Sequence, residues 1–302
     1  MINLPTGVEI NSLIDNLKCF SWEASGVLLH YAQILRNSNN KFSILKNDNE
    51  NDPVTLADLK VNEIIIQNIN ERYKNIDWTI LSEENVKSEP SFLEKNHDWV
   101  WILDPLDGTK DFIQGTSNYA MHLALNYKNK PFIGVVLIPE KNELWLSYGK
   151  KVWCERKDGS IISPNLSRVS ALRKMVLVTS KNHRNQMLKS LIELINFDQV
   201  NIMGSIGCKI ASILRGESDI YICLSMPGKS NPKDWDFAAP EAILKAAGGA
   251  ITNLNNEDLC YGRANFKQEG IIIASNNLYR HKEVCAQIKE IITSNDLYLE
   301  LP

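Results

Sequence analysis

Trp99-Val100-Trp101-Ile102-Leu103-Asp104-Pro105-Leu106-Asp107-Gly108-Thr109 is the stretch on which the reading of this chain turns. Five bulky apolar residues, aromatic and β-branched types prominent among them, predict a short buried strand that ends at Leu103. The carboxylates that follow then emerge where the sheet meets a cleft. Pro105 has no N–H and a fixed φ, and Gly108 permits a tight turn. Together they let Asp104 and Asp107 converge on one point while Leu106 offers its carbonyl. Oxygen-only ligands of this kind select a hard cation such as Mg²⁺ over zinc or copper. Asp, Pro and Gly are also common turn residues, so the segment taken alone reads equally well as an ordinary turn.

Three more acidic stations stand at the ends of predicted elements. They are Asp58 in Pro53-Val54-Thr55-Leu56-Ala57-Asp58, Glu83-Glu84 after the apolar run ending at Leu81, and Asp234 and Asp236 around Trp235. Four acidic stations along one chain favour the metal reading over the plain turn.

The periodicity outward from this segment predicts α+β organisation. Apolar residues from Ile10 to Arg36 step by three and four, which predicts one or two amphipathic helices. Asn47 to Pro53 is polar and turn-rich, hence a loop. Thr55 is a suitable N-cap for a helix running to about Tyr73. Trp78 to Leu81, Tyr119 to Tyr127, Phe132 to Ile138, Glu143 to Ser147 and Lys151 to Cys154 read as strands with hairpin spacings, and so as an antiparallel sheet.

The second half alternates. Strands are expected at Met175 to Thr179, Asp219 to Leu224, Ile251 to Leu254 and Gly270 to Ala274. Helices are expected at Asn185 to Ile195, Gly207 to Leu214, Trp235 to Ala247 and Leu278 to Thr293, with Gly248-Gly249 stopping the third. This predicts an N-terminal α+β domain over 1–160 carrying most of the metal ligands. A C-terminal α/β domain over 161–302 would carry substrate contacts and the last ligand.

Bulk composition narrows the function. The chain has 302 residues, 44% apolar and 23% charged, enough for a sizeable buried core. Lys plus Arg number 33 against 36 Asp plus Glu, a net charge of -3, which gives no basic footprint for nucleic acid or an anionic membrane. The start of the chain lacks the pattern of a signal peptide, and no apolar run reaches membrane-spanning length. Six scattered cysteines without a C-x-x-C pair read as reduced thiols, so a cytoplasmic location is expected.

Four segments in order, Pro53-Val54-Thr55 through Asp58, Ser82-Glu83-Glu84, Trp101 through Lys110, and Trp235-Asp236-Phe237-Ala238-Ala239, carry a resemblance. The chain resembles the lithium-sensitive, magnesium-dependent phosphatase superfamily that includes inositol monophosphatase and fructose-1,6-bisphosphatase, over about Ile10 to Ile273. The resemblance implies a layered α/β/α/β/α sandwich of the sugar-phosphatase type and two or three Mg²⁺ ions. Glu83, Asp104 and the Leu106 carbonyl would hold the first, and Asp104, Asp107 and Asp236 the second. Asp58 would orient Thr109, whose hydroxyl positions the attacking water, and sensitivity to Li⁺ would follow.

Gly108-Thr109-Lys110-Asp111-Phe112 resembles 3'(2'),5'-bisphosphate nucleotidases of the CysQ type, which remove the 3'-phosphate of adenosine 3',5'-bisphosphate; its phosphosulfate is the further substrate this resemblance raises. Lys110 would meet a second phosphate, although a solvated surface lysine is the plain alternative. Gly204, Ser205 and Lys209 would approach the nucleotide phosphates, with Gly108 beside them. Ser180 and His183 would approach the base or ribose, where a surface histidine is an equal reading of His183. Such nucleotidases place an Arg after the residue equivalent to Tyr221, and here Ile222-Cys223-Leu224 follows instead. Lys229 or Lys233 would have to supply that charge as point charges. An inositol-1-phosphatase or broad sugar-phosphate phosphatase is therefore the alternative, and a non-catalytic nucleotide- or metal-binding sensor the third. Oligomeric state is not legible.

Overall fold

The structure is a computed structural model and describes residues 3–37, 45–47, 54–88, 97–180, 186–225 and 231–297. Helix α1 (Ile10–Asn37) runs unbroken for 28 residues, with Leu13, Leu17, Ala24 and Leu28 fully buried. A small antiparallel pair, β1 (Leu45–Asn47) and β2 (Val54–Thr55), leads into α2 (Leu56–Arg72). Asn47 thus belongs to a strand, while the remainder of the expected loop lies outside the described residues. Thr55 caps α2 as its side chain predicts, accepting from Ala57 N at 3.1 Å.

The first sheet has seven strands in the order β3 (Thr79–Ser82), β4 (Trp99–Asp107), β5 (Ala120–Tyr127), β6 (Lys130–Ile138), β7 (Glu143–Tyr148), β8 (Lys151–Glu155) and β9 (Ile161–Ile162). All neighbours are antiparallel except β3 and β4, which run parallel because α3 (Glu83–Ser88) lies between them in the chain. The sheet read as antiparallel from the sequence thus includes one parallel pair.

A second correction concerns β4 itself. It does not stop at Leu103 but continues to Asp107, with a register irregularity against β5 between Asp104 and Asp107. The carboxylates sit on a bulged strand end rather than on a free turn, and a bulge re-aims side chains at a sheet rim. Helix α4 (Thr109–Ile113) follows directly, with Gly108 at its N-cap. Gly108 adopts φ +90°, and a Cβ there would lie 2.8 Å from the Asn118 carbonyl, so both conformation and space require glycine.

The second sheet follows from β10 (Val176–Thr179), α5 (Gln186–Ile195), β11 (Gln199–Ile202), α6 (Ile206–Leu214), β12 (Ile220–Leu224), α7 (Asp234–Ala246), β13 (Ala250–Asn253), β14 (Ile271–Ser275) and α8 (Leu278–Ser294). Its strand order is β11-β10-β12-β14-β13, parallel at β10–β11 and β10–β12 and antiparallel elsewhere. The edge strand β11 has no counterpart in the sequence reading. Gln199-Val200-Asn201-Ile202 leaves most of its side chains exposed, so it lacks the apolar run that marks a buried strand.

Three apolar clusters define the layers. One packs α1 and α2 on the first sheet, a second holds α6 and α7 between the two sheets, and a third packs α5 and α8 on the outer face of the second sheet. The result is the α/β/α/β/α sandwich, an α+β protein with two mixed sheets. No helix among the described residues is long and apolar enough to cross a membrane. All six cysteines are free thiols.

Candidate active site

The residues singled out along the sequence converge because each sits at the start of a helix or the end of β4. Asp58 lies in the first turn of α2, Glu83 in that of α3 and Asp236 in that of α7. Free N–H groups and the helix dipole favour an anion in that turn. Thr55 N donates to Asp58 Oδ2 at 2.8 Å, and Lys233 N to Asp236 Oδ2 at 2.6 Å, so both carboxylates are held by their own helix starts.

Asp107 does the same for another element. Its Oδ2 accepts from Ser205 Oγ at 2.7 Å, from Gly207 N at 3.2 Å and from Ile206 N, all at the start of α6. A residue at the end of the first sheet therefore caps a helix about a hundred positions later. Ser205 adopts φ +45°, a left-handed conformation that costs a non-glycine residue energy and is held by this capping.

Asp104, Asp107 and Asp236 each bring a carboxylate oxygen within 4.8 Å of the others. Burial holds the Asp104 carboxyl well above the usual range, and repulsion from Glu83, Asp107 and Asp236 adds to it. Burial likewise raises Asp236, with Asp107 next in effect. The ionised form of such a cluster is unfavourable unless a cation neutralises it. The donor set is oxygen throughout and several-fold anionic, which fits a hard divalent ion such as Mg²⁺.

Asp58 stands behind this cluster. Its carboxyl is pushed up to about 8 by burial, with Thr55 lowering it and Glu84 and Glu83 raising it. Thr109 Oγ1 lies 3.0 Å from the Leu106 carbonyl and 3.5 Å from Asp58 Oδ1. A cavity of about 410 Å³ opens in front, lined by Glu83, Asp104, Asp107, Thr109 and Asp236 on one side. Gly108, Lys110, Ser180, Gly204, Ser205 and Lys209 also line it. His183 and Lys229 lie outside the described residues.

Three of the expected contacts already have partners within the protein. The Ser205 hydroxyl donates to Asp107 and accepts from Cys208 N at 3.2 Å, and Lys233 Nζ donates to the Asn265 carbonyl at 3.0 Å. Lys209 is 2% exposed, and its ammonium donates to the Ser205 carbonyl at 3.1 Å while sitting over the Tyr221 ring. Cys223 lines the cavity where an Arg was expected. Asp234, paired with Asp236 in the sequence, is fully buried and turned elsewhere. It accepts from Gly262 N at 2.7 Å and Gln268 Nε2 at 2.6 Å, and so anchors a loop.

His122, absent from the sequence reading, is fully buried directly behind Asp107. A histidine inside an apolar strand carries no local mark of function, and only the approach of Asp107 and α7 gives it one.

The raised carboxyls give a pH prediction. A carboxylate whose folded pKa exceeds its unfolded value costs the fold nothing below the unfolded pKa, and stability falls as pH rises through the folded one. For Asp58 that window runs from the ordinary 3.8 to about 8. A bound cation reverses the cost, because it requires the ionised form. Thermal melts with and without Mg²⁺ should therefore show an increment in Tm that grows between about pH 6 and pH 8.5. A constant or shrinking increment would contradict the cluster as the binding site.

Three layers of helices enclosing two mixed sheets, with carboxylates and a hydroxyl converging on one cavity, are the arrangement of a metal-dependent phosphomonoesterase. The sequence profile described as the inositol monophosphatase family matches residues 17–293. The chain belongs to that family. Over 212 residues it is 31% identical to the 3'(2'),5'-bisphosphate nucleotidase CysQ of Buchnera aphidicola subsp. Acyrthosiphon pisum, covering 70% of this chain and 75% of that one. The protein of the same name from Escherichia coli is 29% identical over 214 residues, 70% of this chain and 80% of that one. Among solved structures, the Thermotoga maritima IMPase matches with a TM-score of 0.71 at 24% identity, over 94% of this chain and 99% of that chain. That last likeness bears on the fold.

Proposed function

We propose that this phosphatase is a Mg²⁺-dependent 3'(2'),5'-bisphosphate nucleotidase that removes the 3'-phosphate of adenosine 3',5'-bisphosphate. The observation that carries the reading is that Lys110 and Lys209 line the same cavity as the carboxylate cluster. A substrate with one phosphate has its charge met at the cluster, whereas a second phosphate needs cations of its own. The relatives named as CysQ nucleotidases support the same choice.

Glu83, Asp104 and the Leu106 carbonyl would hold one ion, and Asp104, Asp107 and Asp236 a second. When bound, Mg²⁺ neutralises the phosphoryl oxygens and makes a coordinated water more acidic. The protein's own residues supply position. Thr109 donates its O–H to Leu106 O or Asp58, which leaves its lone pairs to accept from a water and aim it. Asp58 keeps that hydroxyl in place because Thr55 N holds its other oxygen. Lys209 has N–H bonds beyond the one given to Ser205 O, and as a residue lining the cavity it would offer these to substrate oxygens.

Parallel turnover of adenosine 3',5'-bisphosphate and inositol-1-phosphate tests the reading. The nucleotide should be preferred by at least about tenfold in kcat/KM, the scale of one charged contact. Cys223 in the cavity wall, where such nucleotidases place an Arg, favours the second reading, a sugar-phosphate phosphatase. Preference for inositol-1-phosphate would establish it.

Lys110→Ala separates the two within one protein. Losing a charge-assisted contact of about 1.5–3 kcal/mol should lower kcat/KM for the bisphosphate by about 10- to 100-fold. Turnover of inositol-1-phosphate should stay within about threefold, since it has no second phosphate to lose. Equal losses on both substrates would place Lys110 at the scissile phosphate or in the fold.

A further inference from the structure

Among the groups around the cluster, His122 has the least local explanation. It lies in β5, whose residues from Ala120 to Asn126 are buried on both faces, and it is itself fully buried. Its Nδ1 is 3.3 Å from the Trp235 carbonyl, one residue before Asp236. Its Nε2 is 3.2 Å from Asp107 Oδ2, out of line for a hydrogen bond and with no other partner among the described residues. Helix α6 closes the third side so tightly that a Cβ on Gly207 would lie 2.3 Å from Nε2. One imidazole thus touches the two segments that carry Asp107 and Asp236, and it fills the space between them.

We propose that His122 is a positioning residue that sets the separation of Asp107 and Asp236, and through it the affinity of the site for Mg²⁺. The inference rests on the reading of those carboxylates as metal ligands. Both facing atoms are acceptors, and the one proton of a neutral ring either serves the Trp235 carbonyl from Nδ1 or faces Asp107 from Nε2. The planar ring, clamped by three elements, has no second place to go. Groups that orient metal-binding carboxylates from behind typically change metal affinity by 10–100-fold when removed.

The test compares His122→Leu, His122→Asn and His122→Gln with the parent by titration calorimetry with Mg²⁺ alone. Melts in EDTA and the Mg²⁺ dependence of phosphate release accompany it. Asn places an amide donor near Nδ1 and Gln one near Nε2, whereas Leu keeps bulk without a donor. Leu should weaken Mg²⁺ binding by about 10–100-fold while leaving the ion-free protein folded with a melting temperature at or above the parent's. At least one amide variant should stay within about threefold of the parent. KM for substrate at saturating Mg²⁺ should be little changed. Unaltered Mg²⁺ affinity in the Leu variant, or equal loss in all three, overturns the proposal and leaves His122 a packing residue. Absence of Mg²⁺ binding in the parent protein would instead overturn the metal-site reading itself.

Discussion

Asp104→Asn should lower Mg²⁺-dependent phosphate release by about a thousandfold, while raising the melting temperature of the ion-free protein. Both effects come from one charge. Asp104 is 2% exposed and is repelled by Glu83, Asp107 and Asp236, so its ionised form is costly when no cation is bound. Asn keeps the side-chain oxygen that accepts from Leu106 N at 3.0 Å, so the bulged end of β4 retains its local bond. The cluster loses the anion that faces three other carboxylates, and with it about 4 kcal/mol of transition-state charge stabilisation, which is about a thousandfold in rate. Phosphate release at saturating Mg²⁺ and a melt in EDTA give the two readouts. Unchanged release would remove Asp104 from the metal site. A lowered ion-free Tm would mean that its carboxylate is held by partners rather than repelled.

Gly207→Ala should destabilise the protein by about 1–3 kcal/mol, the usual range for forcing a methyl into a packed interior. The new Cβ would meet His122 Nε2 at 2.3 Å and Val136 Cγ1 at 2.8 Å, and neither side chain has free space. Relief requires α6 to move away from β5, which pulls the N–H groups of Ile206 and Gly207 from Asp107. Mg²⁺ affinity should therefore fall along with stability. Gly26→Ala is the control, since nothing lies within 4 Å of a Cβ in the middle of α1. There the change should stabilise by about 0.5–1 kcal/mol through helix propensity and a less flexible unfolded chain. Urea unfolding of the two variants should give opposite signs. A Gly207→Ala protein as stable as the parent would show that the joint between α6 and β5 yields.

Helix starts were the most legible part of the chain. Thr55 with Asp58 three residues on is a capping pattern that needs no tertiary contact, and α2 begins where it predicts. Gly248-Gly249 ended α7 for a similarly local reason, with Gly248 at φ +96°. Elements defined by their neighbours were not legible. Helix α4 has five residues, too few to show a helical period in the sequence, and starts directly from the end of β4 at Gly108. Strand β11 is exposed enough to lack an apolar signature, and its pairing with β10 alone makes it a strand.

The same division runs through the site. Residue types and spacing along the sequence marked Asp58, Glu83-Glu84, Asp104, Asp107, Asp234 and Asp236, because a hard-cation site needs oxygen donors at the ends of buried elements, while the family resemblance chose among them and added Thr109. They also separated the two halves, one of hairpin-spaced strands and one of alternating strands and helices. Tertiary structure alone decided that Asp104 and Asp107 sit on a bulge, that Asp107 caps α6, and that Asp234 turns away from Asp236 to hold a loop. It alone placed His122 between the segments that carry Asp107 and Asp236. Local chemistry sets which groups a segment can offer, but the direction a carboxylate faces depends on donors about a hundred residues away, and no window of sequence contains them.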